Sequence, residues 1–231
     1  SNNVFSVLNK VISDVTQSLP IYSNRGKRLS SRRLTGVASG NFNVFKKTVE
    51  QETLSAAVSV LVDASESMSI NMMKIANTAA FSVAMALSRS QIPVEVLYFG
   101  LCDELNPDNA SRYALHEAVV FGSTPCPEKF KVSGKAGTPT GKAMYSALQT
   151  LGLRCERNKI LFVITDGESN VENLVQSANT LAKELGVSVV PIGIETGLIK
   201  GFEADQFVTL NNVDELYQAL EKAIEMRLFV K

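Results

Sequence analysis

From Ala56 onward the hydrophobic positions alternate between short unbroken runs and longer stretches at helical spacing. An unbroken β-branched run bounded by polar residues reads as a strand covered on both faces; recurrence every three or four residues reads as a helix. On that reading strands span Val58–Asp63, Pro93–Phe99, Lys159–Thr165 and Val187–Ile194, with a short one at Gln206–Leu210. Helices span Met72–Arg89, Thr140–Leu151, Val171–Leu185 and Val213–Met226. The first helix is apolar almost all round, from Met73 and Ile75 to Met85 and Leu87, which predicts deep packing. Leu101–Gly134 is long for a structureless loop, so a strand is expected near Glu117–Phe121. The alternation predicts an α/β fold: a doubly wound, mostly parallel central sheet flanked by helices on both faces.

The first 50 residues break this rhythm. Val4, Phe5, Val7, Leu8, Val11, Ile12 and Val15 recur at helical spacing until Pro20 stops the helix. Ser30-Ser31 suits the cap of a short helix ended by Gly40, and Phe42–Val49 reads as a strand or an extended connector. The expected organisation is an N-terminal helix and basic extension over residues 1–50, packing on a domain over residues 51–231.

Composition narrows the function classes. Apolar residues make up 45% of the 231 and charged residues 20%, which supplies a sizeable core and excludes wholesale disorder. Lys plus Arg balance Asp plus Glu at 23 each, so the whole chain has no bias toward nucleic acid or membrane. The charge is uneven, however: between Ile21 and Glu50 stand Arg25, Lys27, Arg28, Arg32, Arg33, Lys46 and Lys47 against one acid. No aromatic residues interleave the basic run in the manner of a nucleic-acid surface, and a solvated face or a protein contact is the expected use. Three widely spaced cysteines, Cys102, Cys126 and Cys155, form no CxxC pair, which argues against zinc and for a reduced, cytoplasmic protein. No run approaches the ~18 apolar residues of a membrane span.

The candidate chemistry lies where the runs end. Asp63-Ala64-Ser65-Glu66-Ser67 follows one apolar run and Thr165-Asp166-Gly167 follows another; Gly137-Thr138-Pro139-Thr140-Gly141 precedes a helix. Ligands of open α/β sheets gather beyond the carboxyl ends of the strands, which is where Asp63 and Asp166 fall. Ser65 and Ser67, two apart, can point their hydroxyls the same way, and Thr138 in its Gly-Pro turn can face the same crevice. Gly137 and Gly167 permit turns that a Cβ would resist. Oxygen donors without His or Cys suit a hard cation such as Mg²⁺; Ca²⁺ prefers more carboxylates than these loops offer. The plainer reading is helix capping, with Ser67 or Ser69 capping the helix that follows.

These three segments resemble the metal-ion-dependent adhesion site of von Willebrand factor A domains. The resemblance covers about Ser55 to Lys231. It implies that Ser65, Ser67 and Thr138 touch the ion, that Asp63 and Asp166 bind it directly or through water, and that a partner's Asp or Glu completes the octahedron. Mn²⁺ or Ca²⁺ could take the place of Mg²⁺. Glu66 departs from the Gly of many members and stands as a modulator, facing solvent or filling the open position.

A second resemblance is carried by Arg25–Gly40, Val44-Phe45-Lys46-Lys47 and Val94–Gly100, which are similar to the T subunit of aerobic cobaltochelatase. It implies a ring-forming AAA+ ATPase partner of the MoxR or CobS type, with Arg25, Lys27, Arg28, Arg32 and Arg33 as partner-binding candidates. The chain lacks a GxxxxGK[ST] loop and so is not itself a P-loop ATPase. The expected function is a metal-dependent protein-binding module, not an enzyme by itself. Two alternatives are an accessory subunit of an ATP-driven metal chelatase and an adhesion or structural protein. A hydrolase using Asp63 or Asp166 as nucleophile is a remote fourth. His116, the only histidine, has no paired nucleophile in the sequence, and Cys102 reads as an exposed loop residue.

Overall fold

The structure, a computed structural model, describes residues 21–23, 25, 30, 40, 42–47, 56–101, 114–132, 137–167, 172–203, 207–212 and 215. The helices expected over 4–18 and 213–226, the helix after Ser31, and Lys27, Arg28, Arg32, Arg33 and Cys102 lie outside these residues. The chain divides into two compact units, a smaller one of Ile12–Leu54 and a larger one of Ser1–Val11 with Ser55–Lys231.

In the smaller unit, β1 (Ile21–Ser23) pairs antiparallel with β2 (Phe45–Lys47), Tyr22 opposite Lys46. The backbone N–H of Ser30 donates to Val44 O at 2.8 Å. Phe42–Val49 therefore contains a strand, and Arg25 is exposed.

The larger unit has a six-stranded sheet in the order β5-β4-β3-β6-β7-β8. Its strands are β3 (Ala56–Asp63), β4 (Val94–Leu101), β5 (Ala114–Val119), β6 (Asn158–Thr165), β7 (Val187–Ile194) and β8 (Val208–Leu210). All neighbours are parallel except β5, which runs antiparallel on the edge. β3 is buried along all eight residues, as an apolar run covered on both faces requires. The chain leaves β3 toward β4 on one side and returns to β6 on the other, so the sheet's switch point lies between the carboxyl ends of β3 and β6.

One face carries α1 (Ile70–Arg89), whose Met73, Ile75, Ala76, Ala79, Ala80 and Val83 are among its buried residues. Ser69 caps it, accepting the Met72 N–H at 3.2 Å, which moves the start two residues ahead of the position read from spacing. By length and composition α1 is apolar enough to cross a membrane, but half of it is buried as a core helix. It is less uniformly buried than its composition predicts: Phe81 and Met85 are half-buried, and Phe81 packs edge-on against Phe130 at 5.1 Å.

The opposite face carries α2 (Thr140–Gly152) and α3 (Glu172–Glu184), which close a core of Leu61, Leu97, Phe99, Met144, Leu148 and Leu161. Between β5 and α2 lies one 3-10 turn, Pro127–Phe130. The strand expected over Glu117–Phe121 is β5, displaced toward the N-terminus. It ends at Val119 because Ser123 closes a turn, its hydroxyl donating to Val120 O at 2.7 Å and accepting from Val120 N–H at 3.1 Å. Gly122, at φ 87°, supplies the left-handed position of that turn.

Candidate metal centre

Parallel pairing of β3 with β6 ends with Val62 opposite Ile164, which carries Asp63 and Thr165 out side by side. Asp63 is fully buried. Its Oδ1 accepts the backbone N–H of Ser65 at 2.9 Å, and its Oδ2 accepts the Thr165 hydroxyl at 2.8 Å. The Thr165 hydroxyl in turn accepts the Gly167 N–H at 3.1 Å. This chain of bonds welds the first acidic loop to the third. Asp166, half-buried, lies near enough to add like-charge repulsion to Asp63.

The two serines converge. Ser65 Oγ and Ser67 Oγ are 2.9 Å apart, and the Met68 N–H donates to Ser65 O to close the turn between them. Because Ser69 performs the capping of α1, the Ser67 hydroxyl is left on Ser65 and the capping reading does not apply to it. Thr138 does not cap either: the residue at the start of α2 is Pro139, without a side-chain cap bond. Thr138 is buried at the turn into α2. The first residue of α2 carries a buried hydroxyl with no hydrogen-bond partner among the described residues, Thr140 Oγ1.

Glycine shapes the cradle in two places. Gly167 adopts φ 96°, and a Cβ there would stand 2.0 Å from Leu198 O. Gly100, at the end of β4 with φ 80°, would drive a Cβ to 2.7 Å from the Ser65 backbone nitrogen.

Burial pushes the Asp63 carboxyl up to about 6, against the hydrogen bonds from Ser65 and Thr165 and with the help of Asp166. No Lys or Arg pairs with Asp63 among the described residues. A buried carboxylate in this state favours a cation beside it. Nor do three His, Cys, Asp or Glu side chains gather into a cluster among the described residues, so an ion here would rest on hydroxyls together with carboxylates. That donor set fits a hard divalent cation such as Mg²⁺ or Mn²⁺.

Of the other candidates, Glu66 stands exposed on this rim, between the two serines. His116 is half-buried, with Nε2 3.2 Å from Lys129 O and its ring 6.1 Å from Tyr98, a structural setting. Cys126 and Cys155 are exposed thiols. Reading from sequence missed Thr165 as the donor to Asp63 and Gly100 as the cradle floor. Thr165 directly precedes Asp166 and could have been found as a hydroxyl ending a buried strand; Gly100 ends the β4 run.

The family models match consecutive parts of this chain. The model of the cobalamin biosynthesis protein CobT VWA domain matches residues 44–111, and that of the von Willebrand factor type A domain matches residues 128–224. Both models describe VWA domains, and the region they match has the VWA fold. No curated protein matches it by sequence. Among solved structures, manganese-loaded TRAP protein of Plasmodium vivax aligns with a TM-score of 0.53 and 16% identity over 73% of each chain. Proximal thread matrix protein 1 from the mussel byssus, with a zinc-occupied MIDAS motif, aligns with a TM-score of 0.56 and 18% identity. That match covers 74% of this VWA chain and 45% of the mussel protein. The vWF domain of the type V pili tip protein Mfa5 from Porphyromonas gingivalis aligns with a TM-score of 0.51 and 13% identity, over 74% of this chain and 94% of that one. At these identities the likeness establishes the VWA fold.

Proposed function

We propose that this VWA domain is a non-catalytic, divalent-metal-dependent module that docks a carboxylate of a partner protein. The observation that carries the reading is the bonded arrangement of Asp63, Ser65, Ser67 and Thr165 at the sheet's switch point. Ser65, Ser67 and Thr138 would hold the ion, with Asp63 and Asp166 balancing its charge directly or through water. A bound Mg²⁺ supplies an open coordination position that accepts one carboxylate oxygen. Thr165 and the Ser65 N–H keep the Asp63 carboxylate fixed, and buried Thr138 is held by the turn into α2.

The match to the CobT VWA model over residues 44–111 favours a partnership with a MoxR- or CobS-like AAA+ ATPase, and as a second reading a place in an ATP-driven metal chelatase. On this reading Arg25 and the neighbouring basic residues belong to the ATPase contact. A cytoplasmic setting accords with it. The adhesion reading has only fold likeness behind it.

The test is calorimetric titration of Mg²⁺ and Mn²⁺ into wild type and Ser65→Ala, with capture of a purified CobS-like AAA+ ATPase in Mg²⁺ and in EDTA. The proposal expects uptake at one site and capture in Mg²⁺ alone, both lost in Ser65→Ala. Equal capture in EDTA would refute it.

A further inference from the structure

Three side chains stand out around the loops that carry the metal donors. Ile70, the first residue of α1, is 93% exposed, three residues after Ser67. Leu198 is 64% exposed, and its carbonyl lies against Gly167, next to Asp166. Glu66, between the two serines, is exposed and makes no hydrogen bond or ion pair among the described residues. The Asn71 side chain donates to Glu195 Oε1 at 2.9 Å, which ties the start of α1 to the loop after β7 and so brings the Ile70 and Leu198 segments to one rim.

Single exposed apolar residues are ordinary on protein surfaces. Here both flank one rim, and neither side chain is buried in the core: α1 is capped by Ser69, and the Leu198 backbone is held by the Thr196 hydroxyl. The rim is also rich in acid, with Glu66 and Glu195 added to Asp63 and Asp166. A docking carboxylate therefore enters a surface that already carries excess negative charge. Charge complementarity asks the same partner segment for a cation near Glu66.

We infer that the partner segment recognised at this rim presents a carboxylate flanked on one side by a bulky aliphatic or aromatic side chain, which packs on Ile70 and Leu198, and on the other by a lysine or arginine that pairs with Glu66. This rests on the metal-dependent docking proposed above and names the chemistry of what docks. The carboxylate gives attachment; the two flanks give selectivity among acidic segments.

The test uses arrays of short synthetic peptides with a central Glu or Gln and all residues varied at the flanking positions, probed with the full chain in Mg²⁺ and in EDTA. Mn²⁺ binding by electron paramagnetic resonance is measured in parallel on wild type, Ile70→Ser, Leu198→Ser and Glu66→Gln. Wild type is expected to retain Glu-centred peptides in Mg²⁺ alone, best with Leu, Ile or Phe on one flank and Lys or Arg on the other. Ile70→Ser or Leu198→Ser should reduce the apolar preference by roughly tenfold, the scale of leaving one such side chain exposed. Glu66→Gln should erase the basic preference. Mn²⁺ binding should survive in the Ile70 and Leu198 variants. Mg²⁺-dependent retention of Glu peptides with no flank preference, or with preferences unchanged in the variants, overturns this inference and leaves the docking function standing. Absence of any retention that depends on both Mg²⁺ and Glu overturns the docking function and this inference with it.

Discussion

The Thr165 hydroxyl donates to Asp63 Oδ2 at 2.8 Å while accepting the Gly167 N–H, so one side chain at the end of β6 orients the acid at the end of β3. Groups that orient the neighbours of a metal typically contribute about 10–100-fold to its affinity. Thr165→Val keeps the shape and removes both roles. Mn²⁺ affinity is expected to fall by about that factor in Thr165→Val and to recover in Thr165→Ser, measured by calorimetry. Unchanged affinity in the valine variant would remove Thr165 from the account.

The charge on Asp63 sets a pH dependence. Its carboxyl rises from 3.8 to about 6 on folding, so the folded chain without metal holds the proton more tightly than the unfolded chain. Stability from this group is present below 3.8 and is lost as pH rises toward 6, a cost on the order of 2–3 kcal/mol at neutral pH. Asp63→Asn removes that cost. In EDTA the variant is expected to melt higher than wild type at pH 7.5, with the gap closing toward pH 4, while its metal uptake is lost. Thermal melts across pH check both halves.

Metal removal follows from the same charge. EDTA should lower the wild-type melting temperature at pH 7.5, and its effect should shrink as pH falls below about 6 and protons occupy Asp63. A constant effect of EDTA across that range would point to an ion bound elsewhere.

Gly100 offers a steric test. Its left-handed backbone and the 2.7 Å approach to the Ser65 nitrogen leave no room for a methyl group. Gly100→Ala is expected to cost at least about 1–2 kcal/mol from the backbone conformation alone. The displaced Ser65 should also weaken Mn²⁺ binding. Denaturant melts and calorimetry separate the two effects.

At the other end of the sheet, Glu95 is buried with Oε1 accepting Ser59 at 2.8 Å and Thr150 at 2.9 Å. Burial raises its carboxyl above the usual range, and Glu117 adds to the rise. Stability linked to it is therefore lost as pH rises. Glu95→Gln should melt higher than wild type at pH 8, with the difference shrinking as pH falls through the carboxylate range, and should leave Mn²⁺ affinity intact.

Much of this was legible in the chain. The runs at Val58–Val62 and Ile160–Ile164 marked β3 and β6, because buried parallel strands need apolar residues on both faces, and the acids that end those runs fell at the switch point. What the chain did not disclose depends on register and close approach. Ser59 and Glu95 meet only because β3 and β4 pair in the observed register. The division of labour between Ser67 and Ser69 turns on which hydroxyl reaches the Met72 N–H. Gly100 matters because β4 ends against a loop 35 positions earlier in the chain, a proximity no local pattern encodes.

The most direct measurement is anomalous diffraction from crystals of this chain grown with Mn²⁺. The account predicts one manganese peak at coordination distance, roughly 2.2 Å, from the Ser65, Ser67 and Thr138 hydroxyls, with Asp63 and Asp166 around it. A map with no peak between the ends of β3 and β6, or with manganese bound only at other residues, would contradict it.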